Sequence, residues 1–104
     1  MGLLSKVFSS DEKEIIELLK NKATIIDVRN PGEFSRGRIE NSMNIPLQQI
    51  SERADEILRL ENDVVFCCAA GVRSGKATSI LKKQGLKCAN GGSWMNVKRL
   101  LEDI

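Results

Sequence analysis

The chain contains no histidine, and this absence excludes several kinds of active site. Cysteine proteases that pair their nucleophile with a histidine base are ruled out, and so are zinc sites with histidine ligands. Any nucleophile in this protein must therefore be activated by something other than a neighbouring imidazole.

The sequence also lacks an apolar run of the length that a membrane span needs, which is about 20 residues. Its amino-terminal stretch, MGLLSKVFSSDEKE, has no apolar core of the kind found in secretory signal peptides. Lys6 stands where the myristoylation pattern requires serine or threonine. We therefore expect no membrane partner and a cytoplasmic location.

Charge of one sign is not in excess, and cysteines are few. The formal net charge is +2, and acidic and basic residues alternate in stretches such as DEKEIIELLKNK, so nucleic acid is not an expected partner. The 3 cysteines are an odd number and two of them are adjacent, which argues against a disulfide framework. We expect free thiols in a reducing compartment and no metal or other cofactor.

The length and composition are those of one globular unit. A chain of 104 residues with 41% hydrophobic and 29% charged residues is large enough to bury one core. We expect a monomer in which residues 1–104 form a single domain. Residues 1–9 would supply a short edge strand from the stretch LLSKVF, or a disordered lead.

Strand-like and helix-like patterns alternate along the chain. Helical spacing of apolar residues predicts helices over 10–21, 47–60, 73–84 and 91–104, and β-branched or apolar runs predict strands over 23–28, 43–46, 63–67 and 86–90. This alternation is typical of an α/β fold with three layers, α/β/α, around a central parallel sheet of four to five strands. Ligands of such sheets bind beyond the carboxyl ends of the strands.

Two adjacent cysteines, Cys67 and Cys68, end the third strand-like run in VVFCCAAGVRSGKA. Successive strand residues point to opposite faces of a sheet, so the two thiols have different surroundings. If Cys67 is the last strand residue, its thiol faces a layer of helix, while Cys68 opens the loop and meets a ligand. We expect Cys68 to be reactive, and Cys67 and Cys88 to behave as small hydrophobic residues.

The loop after Cys68 has the features that stabilise a negatively charged sulfur. Residues 69–72 are small, so their backbone N–H groups can curve around the sulfur atom. The next helix starts at about Arg73, and the positive end of its dipole points to the same place. Such surroundings lower a thiol pKa from about 8.5 toward neutrality, which supplies a thiolate without a histidine base.

Three ordered motifs resemble those of the rhodanese family. VVFCCAAGVRSGKA is similar to the family's active-site segment, and IIDVRNPGEFSRGRIENSMNIP is similar to a second signature that contains an Asp-x-Arg loop. NGGSWMNV resembles the closing Gly-Gly motif. The resemblance implies a parallel sheet flanked by helices, and a cysteine that takes up sulfane sulfur as a persulfide and passes it to a thiophilic acceptor.

The resemblance also implies roles for individual residues. Cys68 matches the sulfur carrier, and the loop that follows it consists of Ala69, Ala70, Gly71, Val72, Arg73 and Ser74. Asp27, Arg29 and Glu33 match the loop that supports it, and we expect Arg73 to form an ion pair with Asp27 or Glu33. The implied partners are a small sulfur donor (thiosulfate, polysulfide or a persulfide) and a thiol or protein acceptor.

The chain departs from the family pattern at a few positions. Arg38 replaces a histidine that the family usually has between glycine and isoleucine, and Cys67 stands where an aromatic residue is frequent. Val97 replaces a second tryptophan. None of these positions is the reacting atom of the motif, so the implied chemistry is unchanged.

Three functions are compatible with these residues. The first is a sulfurtransferase, the second is a catalytically silent rhodanese-like binding or regulatory module, and the third is a phosphatase or arsenate reductase of similar fold. Only four residues separate Cys68 from Arg73, whereas the phosphatase pattern has a longer loop that opens a cradle for a tetrahedral oxyanion. The short loop favours sulfur transfer.

Overall fold

The computed structural model of the chain describes residues 10–104, with side chains from Glu12 onward. The helices are α1 (Ser10–Lys20), α2 (Pro31–Arg36), α3 (Leu47–Ile50), α4 (Ala54–Leu58), α5 (Val72–Lys83) and α6 (Trp94–Asp103). The strands are β1 (Thr24–Asp27), β2 (Met43–Asn44), β3 (Val64–Cys68) and β4 (Cys88–Ser93). No helix in this part of the chain is both long and apolar enough to cross a membrane.

The described strands form one parallel sheet of four strands in the order β2-β1-β3-β4. Every connection between them contains helix, as parallel pairing requires. The predicted α/β architecture with a central parallel sheet of four to five strands is thereby confirmed. The further strand expected from LLSKVF lies outside the described residues.

The two faces of the sheet are covered by different helices. Val64, Phe66 and Cys68 of β3 lie in a core cluster that includes Ile50 of α3, residues of α4 and Leu81 of α5. The alternate residues Val65 and Cys67 lie in a second cluster with apolar residues of α1 and α6. All five residues of β3 are buried, because helices cover both faces of this central strand.

The predicted helix over 47–60 is two short helices, α3 and α4, separated by a turn at residues 51–53. Ile50, Ala54 and Ile57 are all buried and keep helical spacing across the turn. The apolar pattern therefore continues through the break and does not reveal it.

The glycine pair Gly91 and Gly92 belongs to β4, and not to the helix predicted over 91–104. A Cβ atom at Gly91 would lie 2.6 Å from Cγ2 of Val97 and 2.8 Å from Cγ1 of Val65, so this close approach requires glycine. Gly92 has a φ of +81°, which also favours glycine. Between Phe66 and Cys68 the register with β4 advances by one extra residue, from Asn90 to Ser93, which is a bulge beside the end of β3.

Candidate active site

Cys68 is the last residue of β3 and its sulfur lies at the carboxyl edge of the sheet. The sequence placed it as the first residue of the loop, and the structure corrects this boundary because Cys68 still pairs with Ser93 of β4. It is also more enclosed than expected, with 1% of the residue exposed. The opposite placement of Cys67, toward the helices α1 and α6, agrees with the sequence prediction.

Hydrogen-bonding groups of Gly71 and Ser74 surround the Cys68 sulfur. The backbone N–H of Gly71 donates to Sγ over 3.0 Å and that of Ser74 over 3.4 Å, and the Ser74 hydroxyl lies 3.2 Å from Sγ. Gly71 adopts a φ of +100°, a conformation that glycine reaches without strain. Helix α5 begins at Val72, so its amino terminus is directed at the sulfur.

The pKa values of the cysteine thiols are shifted in different directions. Burial raises the pKa of Cys68, but hydrogen bonds from the Ser74 hydroxyl and the amides of Ser74, Gly71 and Ala70 outweigh it and leave a pKa below the ordinary value. Burial raises the pKa of Cys67 strongly, and it raises that of Cys88 to about 11. Cys68 is therefore the cysteine most easily converted to a thiolate.

Arg73, in the first turn of α5, forms its ion pair with Glu33 and not with Asp27. Its two terminal nitrogens lie 2.7 and 3.1 Å from the two carboxylate oxygens of Glu33, a bidentate arrangement. The hydrogen bond from Arg73 lowers the pKa of Glu33 to about 2. This pair connects the loop that follows Cys68 (residues 69–74, the Cys68 loop) to α2.

Asp27 pairs instead with Arg29, beneath the site. The Arg29 guanidinium contacts the Asp27 carboxylate at 2.8 Å, and the two side chains are 6% and 1% exposed. Arg29 also donates to the carbonyl of Gly37 over 2.6 Å and lies 4.8 Å from the ring centre of Trp94. Trp94 is thus half-buried, with its ring against the Arg29 guanidinium.

Glu33 is held in position by the start of its own helix. Asn30 caps α2 by accepting a hydrogen bond from the Glu33 amide, and the Glu33 carboxylate accepts one from the Asn30 amide. This reciprocal capping box, with Pro31 at the first helical position, fixes the carboxylate that Arg73 contacts.

One residue at the site, Asn90 of β4, was missed in the sequence. Its side chain contacts Gly71, Ser74 and Gly92, two of which belong to the Cys68 loop. The sequence offers a weak indication, since asparagine is disfavoured inside strands and this one precedes a glycine pair. Its partners are separated by up to 19 positions, so the contacts themselves are not visible in the sequence.

The sequence model of the rhodanese-like domain family matches residues 11–100. This chain belongs to the rhodanese-like domain family. The matched range includes the strand that ends at Cys68, the loop that closes on Arg73, and the supporting residues Asp27, Arg29 and Glu33.

Several known proteins are similar to this rhodanese-like domain. The uncharacterized protein YqhL of Bacillus subtilis is 47% identical over 64 residues, covering 62% of this chain and 50% of YqhL. The thiosulfate sulfurtransferase PspE of Escherichia coli is 38% identical over 61 residues, covering 58% of this chain and 59% of PspE. A solved rhodanese-related protein from Thermoplasma volcanium is 32% identical, with a TM-score of 0.65 and coverage of 86% and 88% of the two chains.

The match extends over only part of several relatives, since this chain spans between about half and three fifths of YqhL and PspE. It is therefore a rhodanese-like domain with relatives named as sulfurtransferases. Around its site, Ala69 and Ala70 are exposed and Val72 is 67% exposed, so the loop presents small apolar side chains to solvent. Arg38, which replaces the usual histidine, lies over the ring of Phe34 at 5.1 Å.

Proposed function

We propose that this domain is a sulfurtransferase that carries sulfane sulfur as a persulfide on Cys68. The acceptor is cyanide, a thiol or a protein partner, and the donor is thiosulfate, polysulfide or another persulfide. The observation that carries the proposal is the set of hydrogen-bond donors from Gly71 and Ser74 directed at the Cys68 sulfur.

The reaction needs a thiolate and a site that stabilises a second anionic sulfur. With thiosulfate as donor, the Cys68 thiolate attacks the outer sulfur, an S–S bond forms to Cys68, and sulfite leaves with the electron pair of the broken bond. Cyanide then attacks the outer persulfide sulfur, thiocyanate leaves, and the Cys68 thiolate is regenerated. No general base is required, because the backbone amides and the amino terminus of α5 stabilise the anionic sulfur.

The size of the loop supports sulfur transfer over phosphate chemistry. Four residues separate Cys68 from Arg73, and the Gly71 and Ser74 amides already converge on one sulfur atom. Phosphate ester cleavage would also need a protonated group for the leaving oxygen. The Glu33 carboxyl does not supply one near neutral pH, because its ion pair with Arg73 lowers its pKa to about 2.

The charge of the loop favours donors of low negative charge. The positive charge of Arg73 is matched by Glu33, and residues 69–72 contain no lysine or arginine. A dianion such as thiosulfate would therefore rely on backbone amides alone. We accordingly expect faster loading from a small organic persulfide than from dianionic thiosulfate.

Intact-protein mass spectrometry after incubation with each donor tests the proposal. We expect a mass gain of one sulfur atom that cyanide removes with formation of thiocyanate. Hydrolysis of an aryl phosphate is measured in parallel. Phosphate release that depends on Cys68, without a persulfide, would replace the proposal by a phosphatase, and neither activity would replace it by the silent binding module.

A further inference from the structure

The side chain of Asn90 makes three hydrogen bonds that fix the direction of its amide group. Its oxygen accepts from the Ser74 hydroxyl over 2.6 Å and from the Gly92 amide over 2.9 Å. Its nitrogen donates to the carbonyl of Gly71 over 3.0 Å. Because the oxygen accepts from the Gly92 amide and the nitrogen donates to the Gly71 carbonyl, a flipped amide would lose both of these bonds.

Two of these three partners also touch the Cys68 sulfur. The Ser74 hydroxyl lies 3.2 Å from Sγ, and Gly71 donates its backbone N–H to Sγ over 3.0 Å. Ser74 is fully buried, and its hydroxyl lies between the Cys68 sulfur and the Asn90 side chain. Two consecutive hydrogen bonds therefore link Asn90 to the sulfur along each of two routes, one through Ser74 and one through Gly71.

We propose that Asn90 is a positioning residue that competes with Cys68 for the single proton of the Ser74 hydroxyl, and so sets how readily the Cys68 thiol ionises. The inference deepens the proposed function, because it concerns the same thiol.

The competition follows from counting protons. In the thiol form, Cys68 donates its proton to the Ser74 oxygen, and Ser74 donates its own proton to the Asn90 oxygen. When the thiol proton leaves to solvent, the thiolate has no proton and needs donors. The Ser74 hydroxyl then rotates toward the sulfur, while the Asn90 oxygen keeps its bond from Gly92. The change is a rotation of one O–H bond, and no heavy atom has to move.

Replacing the amide of Asn90 separates this role from a merely structural one. A carboxylate in Asn90→Asp binds the Ser74 proton more strongly than an amide oxygen does, and it adds a negative charge, so ionisation of Cys68 becomes harder. Asn90→Ala removes the competing acceptor, so the hydroxyl is free to donate to the thiolate and ionisation becomes easier. The Gly71 carbonyl in that variant still accepts the helical bond from Gly75 over 3.0 Å.

The charged groups near Cys68 do not obscure this comparison. Arg73 of α5 is paired with Glu33 of α2, and Arg29 after β1 is paired with Asp27. On the other side of Asn90, Glu14 of α1 and Lys82 of α5 line a cavity of about 320 Å³. All of these groups are unchanged in the variants, so a difference in how readily Cys68 ionises comes from the side chain at position 90.

The experiment measures the rate at which iodoacetamide modifies Cys68 as a function of pH, with intact mass and fragmentation to locate the first addition. We expect Asn90→Asp to raise the apparent pKa by about one unit, which slows modification about tenfold at pH values below both pKa values. We expect Asn90→Ala to lower the apparent pKa. Asn62→Asp is the matched control. It adds the same charge at a residue whose side chain contacts Thr24 and not the Cys68 loop, so its pH profile should equal that of the unmodified chain.

A second comparison tests the route through Ser74. In a Ser74→Ala chain the hydroxyl is absent, so the effect of Asn90→Asp should shrink, and Asn90→Ala should have no effect. The proposal is overturned if both Asn90 variants shift the profile in the same direction, or if neither differs from the control. Equal effects with and without Ser74 would also overturn it. None of these readouts needs a sulfur donor, so they remain valid even if no persulfide forms on Cys68.

Discussion

The two faces of β3 at its carboxyl end carry the same chemical groups in opposite settings. Each face has one cysteine and, close to it, one arginine-carboxylate pair. Cys67 lies between apolar side chains of α1 and α6, close to the buried pair of Asp27 and Arg29, and no hydrogen bond lowers its pKa. Cys68 lies under backbone amides and beside the partly exposed pair of Arg73 and Glu33.

The difference shows that the direction in which a thiol pKa shifts depends on its surroundings and not on the residue type. Burial raises the pKa of both thiols, and only hydrogen-bond donors at Cys68 reverse the direction. Likewise, the Asp27–Arg29 pair is enclosed in protein, whereas the Arg73–Glu33 pair is partly exposed and joins α5 to α2. Each half of this comparison can be tested separately.

The largest expected effect is on sulfur loading by the three cysteines. Cys68→Ser should abolish loading, because only Cys68 has amide donors directed at its sulfur, whereas Cys67→Ser and Cys88→Ser should retain most of it. The measurement is the mass gain after incubation with polysulfide, with circular dichroism to verify folding. Loading that survives in Cys68→Ser would assign the sulfur to another cysteine and break the comparison.

The next largest effect concerns the buried pair. Arg29→Ala leaves the Asp27 carboxylate buried without its partner, so we expect a loss of about 3 to 5 kcal/mol in the free energy of unfolding. Denaturant titration measures it. Arg38→Ala is the control, since Arg38 is exposed and should change stability by less than about 0.5 kcal/mol. Similar curves for the two variants would show that Arg29 is not the residue that stabilises this face.

The pair beside Cys68 should contribute much less to stability. The side chains of Arg73 and Glu33 are 35% and 26% exposed, so Arg73→Ala should cost about 1 kcal/mol or less. It should nevertheless reduce sulfur loading, because α2 no longer holds the loop. Arg53→Ala, which breaks an exposed pair with Glu56 elsewhere, should cost little stability and leave loading unchanged. A cost at Arg73 as large as that at Arg29 would remove the contrast between the faces.

The smallest effect is a dependence of stability on acid pH. The Arg73 guanidinium lowers the pKa of Glu33 from 4.5 to about 2, so the pair stabilises the folded state fully at pH values above 4.5. That contribution to stability declines as the pH falls below 4.5 and is lost below about pH 2, because the carboxylate becomes protonated. Glu33→Gln should therefore lose less stability than the unmodified chain over this range. Thermal unfolding at a series of pH values measures the difference, and parallel curves would contradict it.

Part of the fold was predictable because local patterns of apolar residues specify it. Apolar runs over 23–28 and 63–67 predict two strands, which the structure gives as β1 and β3 within about one residue at each end, and glycine or proline residues indicate where the chain leaves them. The break between α3 and α4 was not predictable, since Ile50, Ala54 and Ile57 keep helical spacing across it. The place of the glycine pair inside β4 was not predictable either. Glycine is required at position 91 because Val65 and Val97 leave no room for a Cβ atom there, and Val65 is distant in the sequence.

The sequence by itself determined that the two adjacent cysteines differ in their surroundings, since the parity of a strand assigns Cys67 and Cys68 to opposite faces and the small residues after Cys68 leave room for backbone donors. Only the tertiary structure decided which acid pairs with Arg73 and that Asn90 holds the Ser74 hydroxyl. The physical reason is distance along the chain. Glu33 and Arg73 are 40 positions apart, and such contacts depend on how the strands align and not on any local pattern of residues.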